Sequence, residues 1–203
     1  MSEQTTQLNP WFSIWRQPRA TARALVENPK LAGMKPWAIV LSYAVLGAVM
    51  TLIAFEYSIA SGLGLDPLVI SGMLATIPLT FLMWFLMSWL MKVSAGWLGG
   101  SVSTLQMRNA TGWGMILGFW LLPLTALQQN LLLLIDFPLL MLMVPILALI
   151  IGIYAMVAFF KFLGEILGFS AWRAFGTSIL VWLLMFVPLM LLMVGIGLLL
   201  GNS

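Results

Sequence analysis

Five long apolar runs constrain this chain more than any other feature. They occupy about residues 36–60, 68–93, 110–135, 139–163 and 174–200. At ~1.5 Å per helical residue each reaches roughly 36 Å or more, enough to cross a ~30 Å hydrocarbon core with some tilt. Within that core a backbone must satisfy its own polar groups, so each run is predicted to be a helix. The charge content agrees: 7% of the 203 residues are charged and 62% are hydrophobic, against roughly 25% charged in a soluble domain. So few charges cannot cover a surface in water. The first run begins too far into the chain, and is too long, to be the core of a signal peptide. The expected fold is all-α: a polytopic membrane protein with five transmembrane helices over residues 36–203. Residues 1–35 are expected to form a cytoplasmic tail and a short interfacial amphipathic helix.

Five spans put the termini on opposite sides, and the charges say which side is which. Arg16, Arg19, Arg23, Lys30 and Lys35 precede the first run, Lys92 and Arg108 flank the second connection, and Lys161 and Arg173 flank the fourth. All nine basic residues therefore fall on one side. The other side carries the acids Glu56, Asp66 and Asp136. The positive-inside rule then places the N-terminus in the cytoplasm and the C-terminus outside.

The stretch Asn9 to Pro29 stands apart, because it mixes Trp11, Phe12, Ile14 and Trp15 with Arg16, Arg19 and Arg23. Rings bury their bodies while charged heads stay wet, which suits a membrane–water interface. Pro18 can open a helix running to about Val26, and Asn28-Pro29 ends it. At 100° per residue Arg16, Arg19, Arg23 and Glu27 share one side. Trp11, Trp15, Ala22 and Leu25 share the other if the helix extends backwards, and Phe12 breaks the pattern. The stretch reads either as a topology signal with an anchor, or as a site for anionic headgroups or a partner.

Other features have a structural and a functional reading. Pro78, Pro123, Pro145 and Pro188 fall inside spans two to five, where each removes a backbone hydrogen bond and bends its helix. Four bent helices either pack irregularly or surround a cavity. Gln128, Gln129 and Asn130 are consecutive amides in span three, so at least one faces a neighbouring helix as glue or lines a polar path. Glu56 near the end of span one either snorkels or marks a site. Lys161 and Glu165 are four apart and able to pair. Gly168-Phe169-Ser170 then breaks the helix, with Ser170 as an N-cap for span five. Residues 164–173 read as the linker between the last two spans.

The chain has no Cys and no His, which removes the usual ligands of zinc, haem and iron–sulfur sites and excludes thiol and Ser-His catalysis. It also has no phosphate-binding loop, dinucleotide fingerprint or nucleophile elbow. No catalytic or metal residue and no cofactor is assigned, and no nucleic-acid partner is expected.

Three segments carry a resemblance. One is Asn9-Pro10-Trp11-Phe12-Ser13-Ile14-Trp15 with Pro18-Arg19 and then Asn28-Pro29. Another is Leu98-Gly99-Gly100-Ser101-Val102-Ser103, followed by Pro123 in span three. The third is Glu165, then Gly168-Phe169-Ser170-Ala171-Trp172-Arg173-Ala174. In these, and in their order along most of the chain, the sequence resembles a bacterial member of the Yip family, the Ypt/Rab-interacting proteins. The resemblance implies a five-helix protein of the bacterial inner membrane with a cytoplasmic N-terminus. Eukaryotic relatives act in vesicle traffic and contact Rab GTPases through a long cytosolic extension, whereas about 35 residues precede the first run here. The function expected is a non-enzymatic membrane protein that organises lipids or partner proteins at its cytoplasmic face. Anionic lipid headgroups, a second copy of the chain or other membrane proteins are the partners in view. The alternative is a transporter, channel or lipid scramblase built on the proline-bent spans.

Overall fold

The computed structural model describes residues 8–59, 67–134 and 138–201. Seven α-helices run through them: α1 (Pro10–Arg16), α2 (Pro18–Glu27), α3 (Pro36–Ile59), α4 (Pro67–Trp97), α5 (Thr104–Leu134), α6 (Pro138–Leu167) and α7 (Ala171–Gly201). A single 3₁₀ turn, Pro29–Ala32, joins α2 to α3. The described residues contain no strand.

The five apolar runs appear as α3 to α7, most of them longer than the runs themselves. At the ends that carry the basic residues, α4 and α6 continue to Trp97 and Leu167 and α5 begins at Thr104. The reason is local capping. After α4, Gly99 takes a left-handed conformation (φ 87°). The Gly100 amide bonds the Ala95 carbonyl at 2.8 Å, and the Gly99 amide bonds that of Gly96 at 3.2 Å. This is a Schellman termination, which needs a residue without a Cβ penalty at positive φ. Ser103 then opens α5 reciprocally: its hydroxyl accepts the Gln106 amide at 3.2 Å, and the Gln106 side chain accepts the Ser103 amide at 2.9 Å. That arrangement is a capping box.

The second corner repeats the first. Gly168 (φ 74°) follows α6, with Phe169 N bonded to Gly164 O at 2.9 Å and Gly168 N to Glu165 O at 3.3 Å. Ser170 caps α7 as the sequence predicts, accepting the Arg173 amide at 3.4 Å. The expected linker over 164–173 is thus corrected: only residues 168–170 lie outside helices, because the chain breaks at Gly168 and Gly164 stays helical and buried. The two corners touch, since a Cβ on Gly100 would stand 2.7 Å from the Phe169 ring.

Among the described residues four stretches are long and apolar enough to cross a membrane: Pro29–Met50, Ile70–Trp97, Leu142–Leu167 and Ala171–Leu198. Five were expected. The expected span not among them is α5, whose side chains are described only as far as Thr125 and include Gln106, Arg108, Asn109 and Thr111. This helix is the centre of the bundle. It packs against α3, α4 and α6, while α7 packs on α4 and α6, and α2 on α6. Its glycines let the neighbours close in: a Cβ would meet Pro36 at 2.9 Å on Gly112, the Phe159 ring at 2.6 Å on Gly114, and Tyr43 at 2.9 Å on Gly118. Small residues at a helix interface serve the same purpose throughout membrane proteins. A central helix surrounded by protein tolerates the polar groups that a lipid-facing one would not. The Trp84 indole donates to Thr111 Oγ1 at 3.0 Å, and the Ser88 and Thr111 hydroxyls lie 2.7 Å apart.

Pro78, Pro123, Pro145 and Pro188 lie inside α4, α5, α6 and α7 as predicted, and none of them is buried. The bundle is tightest at the end that holds the two corners. Farther along α7, from Phe186 to Leu191, every residue is exposed, although all are apolar.

Candidate functional site

The helix expected from Pro18 to about Val26 is α2 (Pro18–Glu27), but it does not extend backwards: Trp11 and Trp15 lie on a separate helix, α1. Gln17 precedes Pro18, and a residue before proline is driven out of the α region; Gln17 sits at φ −135°, ψ 61°. Asn9 caps α1 by accepting the Trp11 amide at 3.1 Å. The Thr21 hydroxyl reaches back across the break to Ser13 Oγ at 2.8 Å. The pair is therefore a folded hairpin-like unit, not a continuous rod.

This unit packs on protein. Ile14, Ala22 and Leu25 are each 0% exposed and join Ile39, Trp113, Ile116, Leu117, Ala158 and Phe162 in one hydrophobic cluster. The rings predicted to anchor in lipid turn onto α5 and α6. Trp11 meets Phe119 edge-on at 5.7 Å, and Trp15 stacks on Tyr154 at 6.0 Å with 3° between the planes. Phe12, the residue that broke the helical pattern, is 59% exposed and leans on Trp120 at 5.4 Å. Two long-range hydrogen bonds fasten the backbone: Trp120 Nε1 donates to Trp11 O at 3.2 Å, and the Tyr154 hydroxyl donates to Trp15 O at 2.6 Å. Carbonyls in the last turn of a helix lack partners within it, so the Tyr154 bond supplies what α1 cannot.

The three arginines separate in role. Arg23 pairs through Nε with Glu165 Oε1 on α6. That hydrogen bond, and then the carboxylate charge, hold the guanidinium above its ordinary pKa. Glu165 thus reaches across to α2 instead of pairing with Lys161 as its spacing suggested. Arg16 and Arg19 are exposed and belong to no ion pair among the described residues. Because Arg23 is 66% exposed, the pair is screened and contributes little to stability. Arg23→Glu is expected to lower the melting temperature slightly, far less than a core truncation, and the swap with Glu165→Arg to restore it. Thermal unfolding of the two single variants and the double variant measures this coupling.

Other predicted positions fall elsewhere. Gly99 and Gly100 terminate α4, and Trp172 and Arg173 lie exposed in the first turn of α7, Trp172 at 81%. Glu56 sits on α3 and Gln128, Gln129 and Asn130 on α5, and their side chains lie outside the described ones, as Asp66 and Asp136 lie outside the described residues altogether. A cavity of about 450 Å³ lies between α3, α4, α5 and α6, edged by Tyr43, Thr80, Met83, Met87, Gly118 and Phe159 among others. None of the four prolines lines it. No group of three or more potential metal ligands occurs among the described residues.

Sequence reasoning missed Trp120, Tyr154 and the glycines of α5. A signal for the first two exists: both are amphipathic rings set within otherwise apolar runs, and away from water the polar end of such a ring seeks a partner. A family model described as the Yip1 domain matches residues 12–192, from α1 into α7. Comparison with curated proteins and with solved structures returns no match.

Proposed function

The chain belongs to the Yip1 domain family, and on that premise we propose that it is a non-enzymatic integral membrane protein that organises lipids or partner proteins at its cytoplasmic face. In this reading α3 to α7 are five spans in the inner membrane of a bacterium, α5 being the protein-enclosed one. The N-terminus faces the cytoplasm and the C-terminus the other side, as the one-sided basic residues require. The observation that carries the reading is the docked N-terminal unit. Its apolar face is committed to α5 and α6, so Arg16 and Arg19 are held outward at a fixed place instead of on a free tail. A fixed pair of cations costs a binding partner less ordering entropy than a loose one.

The alternative, transport or lipid scrambling, draws on the α3–α6 cavity, whose polar groups include the hydroxyls of Tyr43, Thr80 and Thr111 among methionines. It needs flux in reconstituted liposomes to sustain it.

The test is recovery of lipids and proteins with the chain in native membrane discs. Arg16→Glu with Arg19→Glu is expected to reduce enrichment of anionic lipid or of a co-recovered protein at least about fivefold, at ~1 kcal/mol for one lost cation contact. Insertion and yield should stay unchanged. Equal recovery of every lipid and protein with the wild type and the double variant would refute the reading.

A further inference from the structure

The face of α1 turned away from the core is not flat. It borders a groove of about 750 Å³ whose walls include Asn9, Phe12, Arg16 and Gln17 from the N-terminal unit and Trp120 and Ile151 from α5 and α6. That size is within the range of small-molecule sites. The groove combines one cation, two amides and an aromatic-aliphatic wall.

Its level in the bundle is informative. Trp120 lies sixteen residues past Thr104, the start of α5, or roughly 24 Å at ~1.5 Å per residue. Arg108 lies twelve residues nearer that end, and Lys161 seven residues beyond Tyr154 on α6. Between residues 110 and 134 of α5, and between 138 and 160 of α6, there is no charged residue. Arg16 is therefore set against the uncharged stretches of α5 and α6, with Arg108 and Lys161 nearer the corner end of those helices. The backbone of α1 is provided for at this level by Trp120 and Tyr154. Arg16 has no carboxylate within ion-pairing distance among the described residues. An arginine so placed favours an anionic partner, and its planar fork suits the two free oxygens of a phosphodiester.

We propose that this groove binds one phospholipid of the adjoining leaflet, with the phosphate on Arg16 and an acyl chain along Phe12, Trp120 and Ile151. The proposal rests on the reading of the N-terminal unit as a membrane-facing element and names the ligand of that site. Arg19 lies outside the groove, so it has the charge without the apolar wall and serves as the control.

The experiment uses the full chain, stripped of lipid in detergent and returned to phosphatidylglycerol, to diacylglycerol with the same chains, or to inorganic phosphate. Native mass spectrometry reads the bound mass. One phosphatidylglycerol per chain is expected, with diacylglycerol and phosphate each bound at least about tenfold more weakly. Arg16→Gln is expected to weaken phosphatidylglycerol about tenfold and Arg19→Gln to leave it unchanged. Ile151→Trp, which fills the groove and keeps the charge, should weaken it similarly. Equal binding of diacylglycerol overturns the role of the phosphate, and equal binding of inorganic phosphate overturns the role of the chain. An Arg19→Gln loss as large as that of Arg16→Gln reduces the effect to general surface charge and overturns the site. Co-recovery of a protein that depends on Arg16, with no retained lipid, overturns it in favour of a partner segment. The functional reading fails separately: lipid held in the groove, with native-disc recovery unaltered by the double charge reversal, leaves the site standing without that role.

Discussion

Leu25→Ala lowers the stability of the folded chain by about 2–5 kcal/mol, the usual cost of removing a large buried aliphatic side chain. Leu25 is 0% exposed and packs in the cluster that includes Ile14, Trp113, Ala158 and Phe162. The loss falls at the junction of α2 with α6, so the N-terminal unit should open before the rest of the bundle. Two measurements separate local from global effects. Thermal unfolding in detergent reports the total, and trypsin cleavage after Arg16, Arg19 or Arg23 reports release of the unit. Val26→Ala, one residue on but 52% exposed, should change either measure little, within about 0.5 kcal/mol. Equal behaviour of the two variants would show that the unit contributes no packing. The result matters for function, because a loosened unit would carry its arginines on a mobile tether.

Gly164→Val is expected to destabilise by about 1–3 kcal/mol or to prevent folding, through overpacking at a place that cannot yield. A Cβ at Gly164 would stand 2.9 Å from the Phe169 carbonyl oxygen, 3.2 Å from the Ala171 amide nitrogen and 3.2 Å from the Ser170 carbonyl carbon. All three are backbone atoms of the α6–α7 corner, so no side chain can rotate aside. The control is Gly152→Ala in the same helix. A Cβ there meets nothing within 4 Å, and replacing a helical glycine by alanine is stabilising by roughly 0.5–1 kcal/mol. Opposite signs for the two substitutions, measured by thermal unfolding in the same detergent, would establish the tight corner. Similar signs would mean that the corner relaxes.

Much of this architecture is written in local patterns. The apolar runs specify α3 to α7 because a backbone in lipid has little choice but to be helical. Gly99, Gly168 and Ser170 mark corners, since positive φ and N-capping are one-residue requirements readable from residue type. The split at Gln17 was available from Pro18 alone, although the hydrophobic spacing argued for one extended helix. What spacing could not supply is partner choice. Lys161 stands four residues before Glu165, yet Glu165 meets Arg23, 142 positions away in the chain. In the same way Trp15 has the composition of a lipid anchor and instead stacks on Tyr154.

The chain by itself determined its apolar solvent, its five long helices and the corners at Gly99 and Gly168, because each depends on composition or on a few neighbouring residues. Tertiary structure alone decided that α5 is enclosed, that the N-terminal unit is clamped to α5 and α6, and that Arg16 borders a groove while Arg23 is paired. Those are contacts between segments far apart in the chain. An amphipathic face records that something covers it and carries no record of whether that cover is lipid or the protein's own helices.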